Sequence, residues 1–152
     1  MSTAGSVTLT AMFQTDTAAF VRRFAEAWIE PTVDGLLALT HPDATFTQPL
    51  AATAHGREGQ TNVFDELLST IPDLAGELVS WAPVDDNTVF VELRLHGTFG
   101  RKPIEWVTVD KIVLRDGLIA SRTAYFDGLR LLGTLARRPR GWPAWVKAKL
   151  DR

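Results

Sequence analysis

A chain of 152 residues with 45% apolar side chains, 22% charge and a formal net charge of −2 has the make-up of one soluble globular domain. That balance excludes a general basic field for nucleic acid and an acidic disordered tail. With no cysteine there is no disulfide and no thiolate chemistry, and a cytoplasmic location is the default expectation.

Residues 1–15 lack both a basic start and a long apolar core, so they are read as an N-terminal extension rather than a signal peptide. A single domain is expected over 16–136, and a basic tail containing tryptophan over 137–152. No apolar run reaches membrane-spanning length, so no membrane partner is expected.

Asp16 is placed to cap a helix in which Phe20, Phe24 and Trp28 recur on one face, and Pro31 ends it. A second helix, about 33–40, stops at His41-Pro42. A short extended piece, Ala44–Gln48, is cut by Pro49, and a loop with Gly56 and Gly59 leads to a third helix, about 60–70, with the apolar stripe Val63, Phe64, Leu67 and Leu68. From Leu74 the period becomes two, with strands expected at 75–83, 88–99, 104–115 and 118–127. Short turns between them imply an antiparallel meander, and helices followed by a sheet imply an α+β domain. A last helix is expected at 128–136. Beyond it, Trp142 and Trp145 are expected to pack on the body or on a partner subunit rather than form a membrane or anion patch.

The stretch IEWVTVDKIVLRDGLIASRTAYFDG, residues 104–128, is the most informative. Asp116-Gly117 supplies the positive φ of a tight hairpin. Alternation puts Trp106, Thr108, Asp110, Ile112 and Leu114 on one face, where a carboxylate among apolar neighbours requires a partner. Asp110 is either a chemical group or the structural partner of an arginine on the next strand.

The order HPDATFTQP, then HGREG opening a helix, then VDKIVLRDGLIASRTAYFD resembles the SnoaL-like branch of the nuclear transport factor 2-like superfamily, over about residues 16–135. The resemblance implies a cone-shaped, curved antiparallel sheet with the N-terminal helices on its concave face. It also implies a homodimer and a small-molecule pocket between helices and sheet. It does not imply one activity, since the superfamily holds ketosteroid isomerases, polyketide cyclases, scytalone dehydratases, limonene-type epoxide hydrolases and members that only bind.

Against the ketosteroid isomerases, Asp110 falls at the acid of the oxyanion hole, but Gln48 replaces the catalytic aspartate and Phe24 the oxyanion tyrosine. Against the epoxide hydrolases, Arg94 is retained, His96 stands in place of an aspartate and Ala124 in place of the other acid. Hydrolysis then requires His96 as substitute base.

Alternation alone turns Val89, Val91, Leu93 and Leu95 toward the helices. The resemblance turns Glu92, Arg94 and His96 inward instead, and that inward register is the expectation carried forward. The implied pocket has Phe24, Trp28, Trp106 and Phe126 as its apolar wall, with Gln48, Arg94, His96, Asp110 and Arg122 as polar groups. His96 and Asp110 form the expected catalytic pair, as acid/base and as its partner or oxyanion donor; Gln48, Arg94 and Arg122 position the ligand.

Of the other histidines, His41 is expected to cap a helix end or face solvent, and His55 to be a plain loop residue, with a place at the border of the pocket mouth as the alternative. Neither metal-ligand spacing nor a nucleotide-binding glycine loop occurs, so no cofactor is expected. The expected function is cofactor-independent acid/base catalysis, of isomerase, cyclase or dehydratase type, on a small, largely apolar carbonyl compound. The rival expectation is a non-catalytic ligand-binding or dimerisation module, and epoxide hydrolysis is a further alternative.

Overall fold

A computed structural model describes the backbone of residues 4–151 and the side chains of 16–151. In chain order the elements are α1 (Ala4–Ile29), α2 (Val33–Leu37), β1 (Thr40–Thr47), β2 (Ala54–His55), α3 (Gly56–Thr70), β3 (Ala75–Pro83), β4 (Thr88–Phe99), β5 (Lys102–Arg115), β6 (Leu118–Tyr125), α4 (Gly128–Ala136), a single 3₁₀ turn at Pro139–Gly141, and α5 (Trp142–Leu150). The strands form one open sheet in the order β2-β1-β6-β5-β4-β3. The expected meander β3–β6 is present, and β1 joins it by pairing parallel with β6. The fold class is the expected α+β arrangement of a curved sheet covered by helices.

Several local readings differ: among them, α3 starts at Gly56, so Gly56 and Gly59 lie in the helix and not in a loop before it. Asp16 caps nothing, because α1 already runs from Ala4 and carries it as an interior residue. The second helix is only five residues long, since a turn at Ala38-Leu39 ends it and β1 starts at Thr40. His41 therefore lies in a strand, where its Nδ1 meets Asp43 and Arg115, and not at a helix end. Partial desolvation raises the Asp43 carboxyl, but donation from Arg115 and His41 outweighs it, so the group titrates below 3.8.

The hairpins obey their residues. Asp116 and Gly117 sit at φ 54° and 74°, as a two-residue turn requires. Arg101, next to Gly100, is also at positive φ, so β5 resumes at Lys102, two residues earlier than expected. Pro103 is tolerated there because it follows the pair that closes the hairpin and its nitrogen points away from β4. Pairing of β5 with β6 goes no further than Val109, so no neighbouring strand needs the missing N–H.

The core lies between α1, α2 and α3 and one face of the sheet. Phe20, Phe24 and Trp28 form the buried stripe of α1, with ring centroids 5.8 and 6.2 Å apart. The register of β4 overturns the inward placement of Glu92, Arg94 and His96. Val91 pairs with Asp110, Leu93 with Thr108 and Leu95 with Trp106, so these residues share the helix-facing side. Val89, Val91, Leu93 and Leu95 are at most 3% exposed. Burying each is worth about 1.5–3 kcal/mol, more than the polar set could recover by turning inward.

Candidate functional site

Two strands of one hairpin build the site's electrostatic centre. Asp110 on β5 pairs with Ala124, and Arg122 on β6 pairs with Ile112, which leaves acid and base as diagonal neighbours on the buried face. Arg122 Nε donates to Asp110 Oδ2 at 2.6 Å, and Thr108 Oγ1 donates to Asp110 Oδ1 at 2.8 Å. The aspartate is fully buried. The guanidinium lies 5.7 Å from the Phe46 ring centroid and 6.0 Å from that of Trp28, whose negative faces favour a cation. Among the described residues the two Nη nitrogens of Arg122 make no hydrogen bond.

Arg122 opens onto a cavity of about 540 Å³, a size suited to a small organic ligand. The sheet contributes Leu95, Trp106, Thr108 and Arg122 to its wall, and the β1–β2 connection contributes Gln48, Pro49 and Leu50. Helix α3 adds Asn62, Glu66 and Thr70, and the C-terminal segment adds Leu131, Leu135, Trp145 and Lys149. Lys149 Nζ lies 2.9 Å from Glu66 Oε1. Thr70 Oγ1 is buried without a partner, as is Trp28 Nε1.

The expected site residues divide into three groups. Gln48, Trp106, Arg122 and Phe126 line the cavity. Asp110, Phe24 and Trp28 lie behind that lining as buried support, with Asp110 and Trp28 in contact with Arg122. Arg94 and His96 are on the opposite face of the sheet. There Arg94 sits between Glu77 and Glu105 at 3.6 and 3.8 Å, and His96 is exposed beside Asp73. Side-chain and backbone donation from Thr98 holds the Asp73 carboxyl below 3.8. His96 thus has no route to a ligand in the cavity, and its role as substitute base in epoxide hydrolysis is lost with it. His55 begins α3 and its ring approaches Thr45 Oγ1 at 3.5 Å, outside the cavity wall.

Asn62, Glu66 and Thr70 were missed. Their spacing of four places them on one face of α3, a polar line beside the apolar stripe that was read. Trp145 and Lys149 carried no comparable signal, because which surface a terminal helix covers depends on tertiary contacts.

A family model described as a SnoaL-like domain matches residues 21–122. Comparison with curated proteins gives no match. Among solved structures, a putative SnoaL-like polyketide cyclase from Jannaschia sp. is 16% identical, with TM-score 0.68 over 80% of this chain and 92% of that one. TerC, co-crystallised with polyporic acid, is 16% identical, with TM-score 0.69 over 80% and 98% of the two chains. A Catenulispora acidiphila protein of ketosteroid isomerase-like fold, in complex with trimethylamine, is 20% identical, with TM-score 0.64 over 72% and 85%. These likenesses establish the fold.

Proposed function

The chain belongs to the SnoaL-like domain family, and from that premise we propose that its cavity binds a small, neutral, largely apolar carbonyl compound whose oxygen is taken by Arg122. The observation that carries this reading is the buried guanidinium on the wall of a mostly apolar cavity, fixed through Nε by Asp110 and with no hydrogen bond to Nη among the described residues. Such a group, held in place before the ligand arrives, gives strong directional hydrogen bonds at little reorganisation cost. Charge balance argues for a neutral ligand. Among the described residues Arg122 is matched by Asp110 and Lys149 by Glu66, so these pairs offer a carboxylate no net positive charge. Co-crystallisation of the similarly folded TerC with polyporic acid agrees with an organic ligand in this fold.

The test is titration with 6-propionyl-2-dimethylaminonaphthalene, a fluorescent neutral ketone. Saturable binding with a blue-shifted emission is expected, and 2-naphthoate should bind more weakly. Arg122→Lys keeps the charge but loses the planar fork, and is expected to weaken ketone binding about tenfold or more, the value of a charge-assisted hydrogen bond. Unchanged affinity in that variant removes the assignment.

A second reading, acid/base turnover of the bound carbonyl compound, is favoured by one observation: Glu66 is the carboxylate on the cavity wall. Arg122 would stabilise an enolate oxygen while Glu66 accepts the proton. Exchange of the ketone's α-hydrogens in D₂O, followed by proton NMR and abolished in Glu66→Gln, supports turnover. Saturable binding without exchange leaves a binding protein, with the neutral Gln48 in keeping with that outcome.

The homodimer is also part of the proposal. Val107, Val109 and Tyr125 are 43%, 36% and 55% exposed on the outer sheet face, where Val107 pairs with Arg94 and Val109 with Tyr125. A second copy packed face to face would cover them. Light scattering is expected to give twice 16.8 kDa for the wild type and the single mass for Val107→Lys. A wild-type monomer at micromolar concentration refutes this.

A further inference from the structure

The cavity is closed by a segment lying beyond the residues of the family match. That match ends at 122, yet Leu131, Leu135, Trp145 and Lys149 all line the cavity. The segment is fastened at both ends and in the middle. Arg138 Nη1 donates to the carbonyls of Phe99, Lys102 and Pro103 at 3.4, 3.2 and 2.8 Å, gripping the β4–β5 hairpin. Gly141 lies so close under the Phe99 ring that a Cβ there would come within 2.5 Å of it. Trp142 Nε1 donates to the Leu135 carbonyl at 3.0 Å, tying α5 back to α4. Finally α5 lies along α3, where Ala148 is buried and Lys149 reaches Glu66. The anchors hold the backbone of α5 in place, so the side chains it turns toward the cavity define the space available. They are Lys149 and Trp145, and of the two Trp145 is the bulky apolar one, packed against the core.

We propose that α5 is the specificity wall of the cavity, with Trp145 the residue that limits the length of ligand admitted. The proposal rests on the reading of the cavity as a ligand site and adds what sets its range. Removal of the indole is expected to lengthen the cavity along α5, on which Lys149 also lines it.

Two measurements keep the two readings separable. The first needs no ligand. The chain has no cysteine, and Thr70 lines the cavity with a buried, unpartnered hydroxyl, so Thr70→Cys installs a single thiol there without loss of a hydrogen bond. In that background N-methylmaleimide is expected to react at least tenfold faster than N-(1-pyrenyl)maleimide. Adding Trp145→Ala is expected to raise the pyrenyl rate tenfold or more and the methyl rate less than twofold. Trp145→Leu, which keeps an apolar contact, should fall between and serves if the alanine variant does not fold by circular dichroism. A pyrenyl rate indifferent to residue 145 overturns the proposal.

The second measurement compares 6-propionyl- with 6-dodecanoyl-2-dimethylaminonaphthalene. The wild type is expected to bind the short ketone at least tenfold more tightly, and Trp145→Ala to abolish that preference. Equal binding of both ketones by the wild type overturns the wall and leaves the ligand reading intact. Failure of both ketones to bind refutes the ligand reading, and the labelling result then decides the wall alone.

Discussion

Asp110→Ala is expected to destabilise the protein by about 3–5 kcal/mol, read from the urea midpoint at pH 7. The aspartate is wholly buried, and its oxygens accept from Arg122 at 2.6 Å and Thr108 at 2.8 Å. Removing one partner of a buried ion pair leaves the other charge desolvated and uncompensated, which costs far more than the pair contributes. The same reasoning gives an unusual second expectation. Asp110→Val combined with Arg122→Met fills the space with apolar groups among Val91, Ile112 and Ala124, and should return stability to within about 1 kcal/mol of wild type. The double variant should fold yet lose the fluorescent ketone more than tenfold. A single variant costing under about 1 kcal/mol would show that Arg122 does not depend on the pair for compensation of its charge, and a double variant that still binds the ketone would show that the pair anchors no ligand.

That contrast explains why a buried ion pair persists where apolar packing is cheaper. On the proposed reading its worth is the fixed direction of the Arg122 fork. Through Nε, Asp110 orients the guanidinium, while Phe46 and Trp28 flank it, so the Nη donors would meet the proposed ligand without first being ordered.

Much of this was readable in the chain. Alternation on either side of Asp116-Gly117 fixed the inward face of β5 and the hairpin that brings Arg122 to Asp110, because period and turn chemistry are local properties. Alternation also had β4 right: Val89, Val91, Leu93 and Leu95 do face the helices. The inward His96 came from family resemblance, which maps positions but not the burial energy that sets register. The parallel pairing of β1 with β6 left no local trace, since it joins segments nearly eighty residues apart. Strand β2 is two residues long and has too little sequence to carry a period. The cavity wall was half visible. The apolar stripe of α3 is legible from its spacing, while the polar line Asn62, Glu66 and Thr70 joins the cavity only because α5 packs against α3, a tertiary contact with no local signal.

Gln60 shows best how a residue without an evident chemical role decides the site, and its substitution has the second large expected effect. β1 departs from regular pairing between Thr40 and Thr45, so the carbonyls of His41 and Ala44 fall where β6 cannot serve them. From α3, Gln60 Nε2 donates to those two carbonyls at 3.0 and 3.3 Å, and its Oε1 accepts from Thr40 Oγ1 at 2.6 Å. The side chain is fully buried. One turn on, Phe64 meets Phe46 at 5.4 Å, so the amide fixes the depth at which α3 docks on β1. Gln60→Ala strands two backbone carbonyls and leaves a cavity, and a loss of about 3–4 kcal/mol in urea unfolding is expected. Gln60→Glu should be no better, because a carboxylate cannot donate to the carbonyls. By contrast, Gln48→Ala on the half-buried cavity wall should cost under about 1 kcal/mol. Because α3 carries Asn62, Glu66 and Thr70 to the cavity, Gln60→Ala should also weaken the ketone probe although it touches no ligand. A stability loss below about 1 kcal/mol, with probe affinity unchanged, would mean that α3 is seated by its apolar stripe alone.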